Sequence, residues 1–180
     1  MAVITIPDPS LVILIGAAGA GKTTFAARHF DPSEILSSDR YRALIAGDEA
    51  DQGATRAAFG RLHRDVTRRL AEGRLTIVDA TNVERAARRG LLARARVAGM
   101  PAIAIVLGLP SAVVLARNAA RTGRVVDEAV VRHHLARLHA RLDGPANGLT
   151  AEGFVSVVVL RDPLEVDAVT IVRRAEATRA

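Results

Sequence analysis

The 180-residue sequence contains no cysteine, no tryptophan and a single tyrosine, Tyr41. Without thiols there is no disulfide framework, no thiol nucleophile and no cysteine-based zinc site, and the chain suits a reducing, cytoplasmic setting. Aromatic residues make up only 3% of the sequence, which leaves few platforms for stacking single-stranded bases. Long apolar runs are also missing: the longest, such as 103–107 and 155–160, fall far short of the roughly 20 residues that span a bilayer. The first residues lack a positive segment and are broken by Pro7, Asp8 and Pro9, so they do not read as a signal peptide, and no membrane partner is expected. Lysine is nearly absent: of 25 basic residues, Lys22 is the one lysine and the rest are arginine.

What is present is a large apolar fraction, 49%, in a length that fits one domain with a sizeable core, so residues 1–180 are expected to be a single unit. A net charge of +6 has two readings, an anionic partner such as nucleic acid or nucleotides and a solvated arginine-rich surface. Apolar runs at 11–15, 35–36, 75–78, 103–107 and 154–160 read as strands, with helix-period segments between them. One such segment is marked by Phe59, Leu62, Val66 and Leu70; others cover 84–98, 111–120 and 128–142. Strands this continuously apolar need cover on both faces, which predicts an α/β fold: a doubly wound, mainly parallel sheet of about five strands with helices on both sides. Functional groups then belong at the strands' carboxyl ends.

Gly16-Ala-Ala-Gly-Ala-Gly21-Lys22-Thr23 satisfies G-x-x-x-x-G-K-[ST] and lies between an apolar strand and a segment able to start a helix. Small residues such as Gly16, Gly19, Ala20 and Gly21 let backbone N–H groups turn inward around phosphate oxygens. The following helix, beginning near Lys22, Thr23 and Thr24, offers its unpaired N–H groups to the same anion. Lys22 supplies a cation for the β and γ phosphates of ATP, and the Thr23 hydroxyl is a hard oxygen ligand for Mg²⁺.

Two carboxylates follow other strands. Asp39 is read as the base that accepts a proton from an attacking hydroxyl, with a helix N-cap as the competing role. Asp79 is read as a Mg²⁺ partner, directly or through water, or as a structural carboxylate bonding the turn at Thr81 and Asn82. The stretch Arg117-Asn-Ala-Ala-Arg121-Thr-Gly-Arg124 spaces three arginines three or four residues apart. It is expected to form a lid around 117–130 that neutralises the transferring phosphoryl group, unless it is a solvated basic face. His29, His63, His133, His134 and His139 lack carboxylates at ligand spacing and read as surface or edge residues.

Taken together, the phosphate loop, Ser37-Ser-Asp39-Arg-Tyr-Arg42, Asp48-Glu-Ala-Asp-Gln52, Val78-Asp-Ala-Thr-Asn-Val83 and the 117–124 stretch resemble the kinase module of bacterial polynucleotide kinase-phosphatase. The resemblance runs from about Thr5 to about Val172. It implies ATP-dependent phosphorylation of a 5′-OH end of RNA or DNA, with Asp39 as general base and Arg42 holding the phosphate beside the accepting nucleoside. It further implies that Arg124 reaches the γ phosphate, that Arg117 and Arg121 touch nucleotide or phosphates, and that Gln52 lies along the polynucleotide path; Asn82 joins Asp39, Arg42 and Gln52 as a candidate substrate-binding residue. Phosphatase and ligase-like domains usually accompany that module; this sequence carries neither, so an excised or free-standing kinase is expected. The alternatives are a kinase for a small-molecule alcohol (sugar, nucleoside or antibiotic) and a nucleotide-gated binding module.

Overall fold

The computed structural model describes residues 3–46, 52–122, 125–143 and 148–175. In chain order the strands are β1 (Val3–Asp8), β2 (Leu11–Ile15), β3 (Ile35–Ser37), β4 (Thr76–Asp79), β5 (Ala102–Leu107), β6 (Ser156–Leu160) and β7 (Thr170–Ala175). The helices are α1 (Lys22–His29), α2 (Ser38–Ala46), α3 (Gln52–Ala71), α4 (Arg85–Val97), α5 (Ser111–Ala119), α6 (Glu128–Asp143) and α7 (Pro163–Ala168). Five strands form one wholly parallel sheet in the order β3-β4-β2-β5-β6. The expected doubly wound sheet is therefore present, with each of its five strands where the apolar runs lie.

The reason for those runs is visible in β2, whose residues are buried throughout. Leu11, Ile13 and Ile15 pack with Leu62, Val66 and Leu70 of α3 and Leu91 and Ala95 of α4. The alternate residues Val12 and Leu14 pack on the other face with Phe25 and Ala26 of α1 and Val114 of α5. Because successive strand side chains point to opposite faces, a strand covered on both sides needs apolar residues at every position. Helix α6 contributes to both clusters, Val131 and Leu135 to one and Leu138 and Leu142 to the other.

A second, two-stranded parallel sheet pairs β1 with β7, from Val3 opposite Thr170 to Asp8 opposite Ala175. Neither strand was expected. Ile4 and Ile6 of β1 are buried in the α1-side cluster while Val3 and Thr5 face out, a period-two pattern that Pro7 cuts short. The β2 strand has β4 on one side and β5 on the other. The crevice outside its carboxyl end is the place where a doubly wound sheet binds its ligand.

Candidate active site

The loop leaving β2 is shaped by its own backbone. The Gly16 N–H donates to the Thr81 carbonyl at 3.1 Å, and the Ala20 N–H donates to the Ala17 carbonyl at 3.2 Å. Gly19 has φ +87°, and a Cβ there would lie 2.5 Å from the Val114 carbonyl oxygen of α5. Gly21, at φ +94°, sits at the N-cap of α1, and no side chain caps that helix. The first N–H groups of α1 are thus left for an external anion, at the helix's positive end.

The Lys22 ammonium donates to the Ala17 carbonyl at 3.0 Å and so folds back over its own loop. The Thr23 hydroxyl donates to Asp79 Oδ2 at 2.8 Å, tying the start of α1 to the end of β4. Burial lowers the Lys22 pKa, opposed by the negative charges of Asp79 and Asp39 and reinforced by Arg121. Burial raises the Asp79 pKa, opposed chiefly by Lys22 and by the hydrogen bond from Thr23. Each group is therefore held in a charged pocket with too little water and incomplete compensation.

Asp39 stands in the first turn of α2, where Arg42 Nη2 donates to its Oδ1 at 2.5 Å. Arg42 also donates to the Ser38 hydroxyl at 3.1 Å. The two side chains differ in exposure, 49% for Asp39 and 13% for Arg42, so a well-anchored guanidinium presents an open carboxylate. Gly19, Lys22, Thr23, Asp39, Arg42 and Asp79 line one cavity of about 730 Å³. Gly21, Thr24, Arg117 and Arg121 line it as well, so α5, through Arg117, and the residues just after it, through Arg121, bring two arginines to the same space.

The remaining expected residues fall elsewhere. Gly16 and Ala20 shape the loop from beneath it; Ala20 is fully buried. Asn82 is buried, with φ +49°, and its Nδ2 donates to the Leu14 carbonyl at 2.9 Å. That side chain is spent on joining the β4 turn to β2, and it does not line the cavity. Arg124 lies outside the described residues, as does the 48–51 stretch, and of Gln52 only the backbone, at the start of α3, is described. Helix α5 ends at Ala119, and Asn118 bridges to Val126 beyond it, donating to its carbonyl at 2.7 Å and accepting from its N–H at 3.3 Å. This fastens the base of the expected lid.

Three titratable lining residues were not anticipated: Arg28, Asp167 and His134. Arg28 Nη1 pairs with Asp167 Oδ1 at 2.9 Å, joining α1 to α7 at the rim. His134 was expected at a surface or edge; it is half-buried against the cavity, where burial first and then His133 lower its pKa, with Glu84 opposing. The signal was present, since His134 falls three residues after Val131 and four before Leu138, both buried.

Thr23 and Asp79 offer two adjoining hard oxygens. Among the described residues no cluster of three or more His, Cys, Asp or Glu side chains stands ready for a metal. A site with two protein oxygens suits Mg²⁺, which keeps several waters and takes further ligands from phosphates.

A family model described as AAA domain matches residues 11–145. The chain belongs to that family. No curated protein matches it. Solved structures similar to this AAA domain include a chain of the Pnkp1/Rnl/Hen1 RNA repair complex, 22% identical with TM-score 0.63, over 74% of this chain. The match spans 45% of that RNA repair chain, so this chain corresponds to less than half of its length. A sugar kinase from Janibacter sp. HTCC2649 is 20% identical with TM-score 0.56, over 88% of this chain and 90% of that one. A gluconokinase from Sinorhizobium meliloti 1021 is 18% identical with TM-score 0.52, over 88% and 87%. The AAA domain therefore has the P-loop kinase fold, and among its described residues no helix is long and apolar enough to cross a membrane.

Proposed function

We propose that this AAA domain transfers the γ-phosphoryl group of ATP to the 5′-hydroxyl of a polynucleotide. The observation that carries the reading is the Asp39–Arg42 pair, a carboxylate and an anchored guanidinium sharing one cavity with Lys22 and Thr23. Asp39 takes the proton of the acceptor hydroxyl as its oxygen bonds to the γ phosphorus, and the bond from that phosphorus to the bridging oxygen of ADP breaks. Arg42 holds an acceptor-side phosphate. Lys22 binds the β and γ phosphates, and Arg117 and Arg121, with Arg124, offset the charge of the transferring group. Mg²⁺, held by Thr23 and by Asp79 directly or through water, would supply charge neutralisation at the phosphates.

The likeness in fold to a chain of an RNA repair complex supports the polynucleotide acceptor; phosphatase and ligase functions are its proposed companions. A small-molecule alcohol is the second reading, favoured by a sugar kinase matched over 90% of its length.

The test is γ-labelled ATP with three acceptors in parallel: a 5′-OH oligonucleotide, a nucleoside 3′-phosphate and gluconate. Label on the two nucleic-acid acceptors is expected, with Asp39→Asn slowing transfer about 10²- to 10⁴-fold while ATP binding persists. Label on gluconate alone would replace the acceptor, and full activity of Asp39→Asn would remove the assigned base.

A further inference from the structure

Helix α4 carries a second cationic feature away from the ATP cavity. Arg85, Arg89, Leu92 and Arg96 follow one another at intervals of four, three and four residues, which puts them on one stripe of the helix. All three arginines are exposed, and among the described residues none has an ion-pair partner. The stripe lines a groove of about 340 Å³ whose other wall includes Met100, Pro101 and Val155. Val155 is 65% exposed, an apolar side chain facing water beside a row of cations.

Among the described residues the only carboxylate lining this groove is Glu152, and its charge is already taken. Arg88 Nε and Nη2 donate to its two oxygens at 2.7 and 2.6 Å, and both side chains are almost fully buried, at 1% and 3% exposure. Beneath the groove the charges cancel; along it, three positive charges stand uncompensated. Helix α4 joins the carboxyl end of β4 to the amino end of β5, so the row starts just past the Asp79 turn and runs towards the opposite end of the sheet.

We infer that this groove holds the body of a single-stranded polynucleotide, its phosphates on Arg85, Arg89 and Arg96 and its bases against the Met100–Val155 wall. At 1.5 Å per residue the row is roughly 16 Å long. A single strand is the occupant because the apolar wall gains from unpaired base faces, which a duplex hides, and because arginine planes and apolar side chains stand in for the missing aromatics. The site deepens the polynucleotide reading of the proposed function, yet its residues take no part in transfer.

The experiment uses the full chain and the triple variant Arg85→Gln/Arg89→Gln/Arg96→Gln. Glutamine keeps helix propensity, and the exposed positions leave the core intact. Binding of an oligonucleotide of about 15 residues is measured across a salt series, alongside phosphorylation of a nucleoside 3′-phosphate, too short to reach the groove. Losing three phosphate contacts should reduce the slope of log K against log salt by about 2 and lower affinity about a hundredfold at about 0.1 M salt. Turnover of the short acceptor should not change, and the matching triple lysine variant should restore the slope. Equal slopes for wild type and the glutamine variant would overturn the groove. So would binding of poly-glutamate that depends on the three arginines in the same way, which would assign the groove to an acidic protein. If labelled phosphate never reaches a 5′-hydroxyl but the variant still loses the oligonucleotide, the groove stands and the proposed acceptor falls. If 5′ transfer occurs and the variant binds the oligonucleotide as wild type does, the acceptor stands and the groove falls.

Discussion

Gly19→Ala separates two costs that the phosphate loop combines. A Cβ at Gly19 meets the Val114 carbonyl oxygen at 2.5 Å, the Asn118 nitrogen at 3.0 Å and the Asn118 Cβ at 3.1 Å, all parts of α5 that cannot swing aside like a flexible side-chain tip. The left-handed φ of +87° adds about 1–2 kcal/mol for a residue bearing a side chain. Forcing a methyl group into packed surroundings adds about 1–3 kcal/mol. Gly21 is the internal control: its φ of +94° imposes the first cost, but its nearest contact for a Cβ is the Arg117 Nη1 tip at 3.6 Å, an ordinary separation. Denaturant unfolding should therefore place Gly19→Ala about 2–5 kcal/mol below wild type and Gly21→Ala about 1–2 kcal/mol below, at unchanged m. Because α5 bears Arg117 and leads directly into Arg121, relief of the clash by moving that helix should also weaken the stabilisation conferred by ATP, which reaches about 2.7 kcal/mol at a hundredfold excess over Kd in an unperturbed site. A Gly19→Ala protein no less stable than Gly21→Ala would refute the close approach of the loop to α5.

Two other perturbations test the electrostatics. Lys22→Met should raise the Tm of the nucleotide-free protein while abolishing the Tm increase on adding Mg-ATP, because burial makes the ammonium costly and phosphate is what compensates it. The sign follows from linkage: the folded-state pKa of Lys22 is lowered, so across the window from that pKa up to the ordinary value near 10.4 the unfolded chain binds more protons and wild-type stability gains on Lys22→Met as pH rises. A stability gap independent of pH through that window would show that the ammonium is not desolvated. Arg88→Met should cost about 3–5 kcal/mol in chemical denaturation, leaving the Glu152 carboxylate buried without its partner, and the double change with Glu152→Met should recover most of that loss.

The phosphate loop was legible because its chemistry is local: backbone N–H groups, one lysine and one hydroxyl, all within eight consecutive residues. The sheet was legible because strands buried on both faces leave unbroken apolar runs, as β2 and β5 do. Strands β1 and β7 escaped for the complementary reason. Only Ile4 and Ile6 of β1 are buried and β7 is exposed at every position but Ile171, and their partnership joins opposite ends of the chain, so no local stretch announces it. Asn82 was misplaced because an amide in the turn after β4 looks the same whether it faces a ligand or the Leu14 carbonyl; its left-handed backbone, which asparagine tolerates, belongs to the turn. Arg88 gave no sign among its arginine neighbours, since spacing alone does not tell which guanidinium meets a buried glutamate 64 residues away.

Structural residues and ligand-dependent residues are distinguished by how completely the fold satisfies them. Arg88 has both carboxylate oxygens of Glu152 and the carbonyls of Asn82 and Val83 at 2.8 and 2.5 Å, so every arm of the guanidinium is engaged and the pair has no need of a ligand. Lys22 has one carbonyl, at 3.0 Å, for three donor hydrogens, in a setting that disfavours its charge. Asp79 is its mirror image, a carboxylate desolvated beyond what Lys22 and Thr23 repair. A phosphate group brings acceptors to the first, and a divalent cation brings positive charge to the second, so Mg-ATP relieves both deficits together. That complementarity, rather than the loop pattern alone, is the ground on which we propose the cavity between α1, β4 and α2 as the nucleotide site.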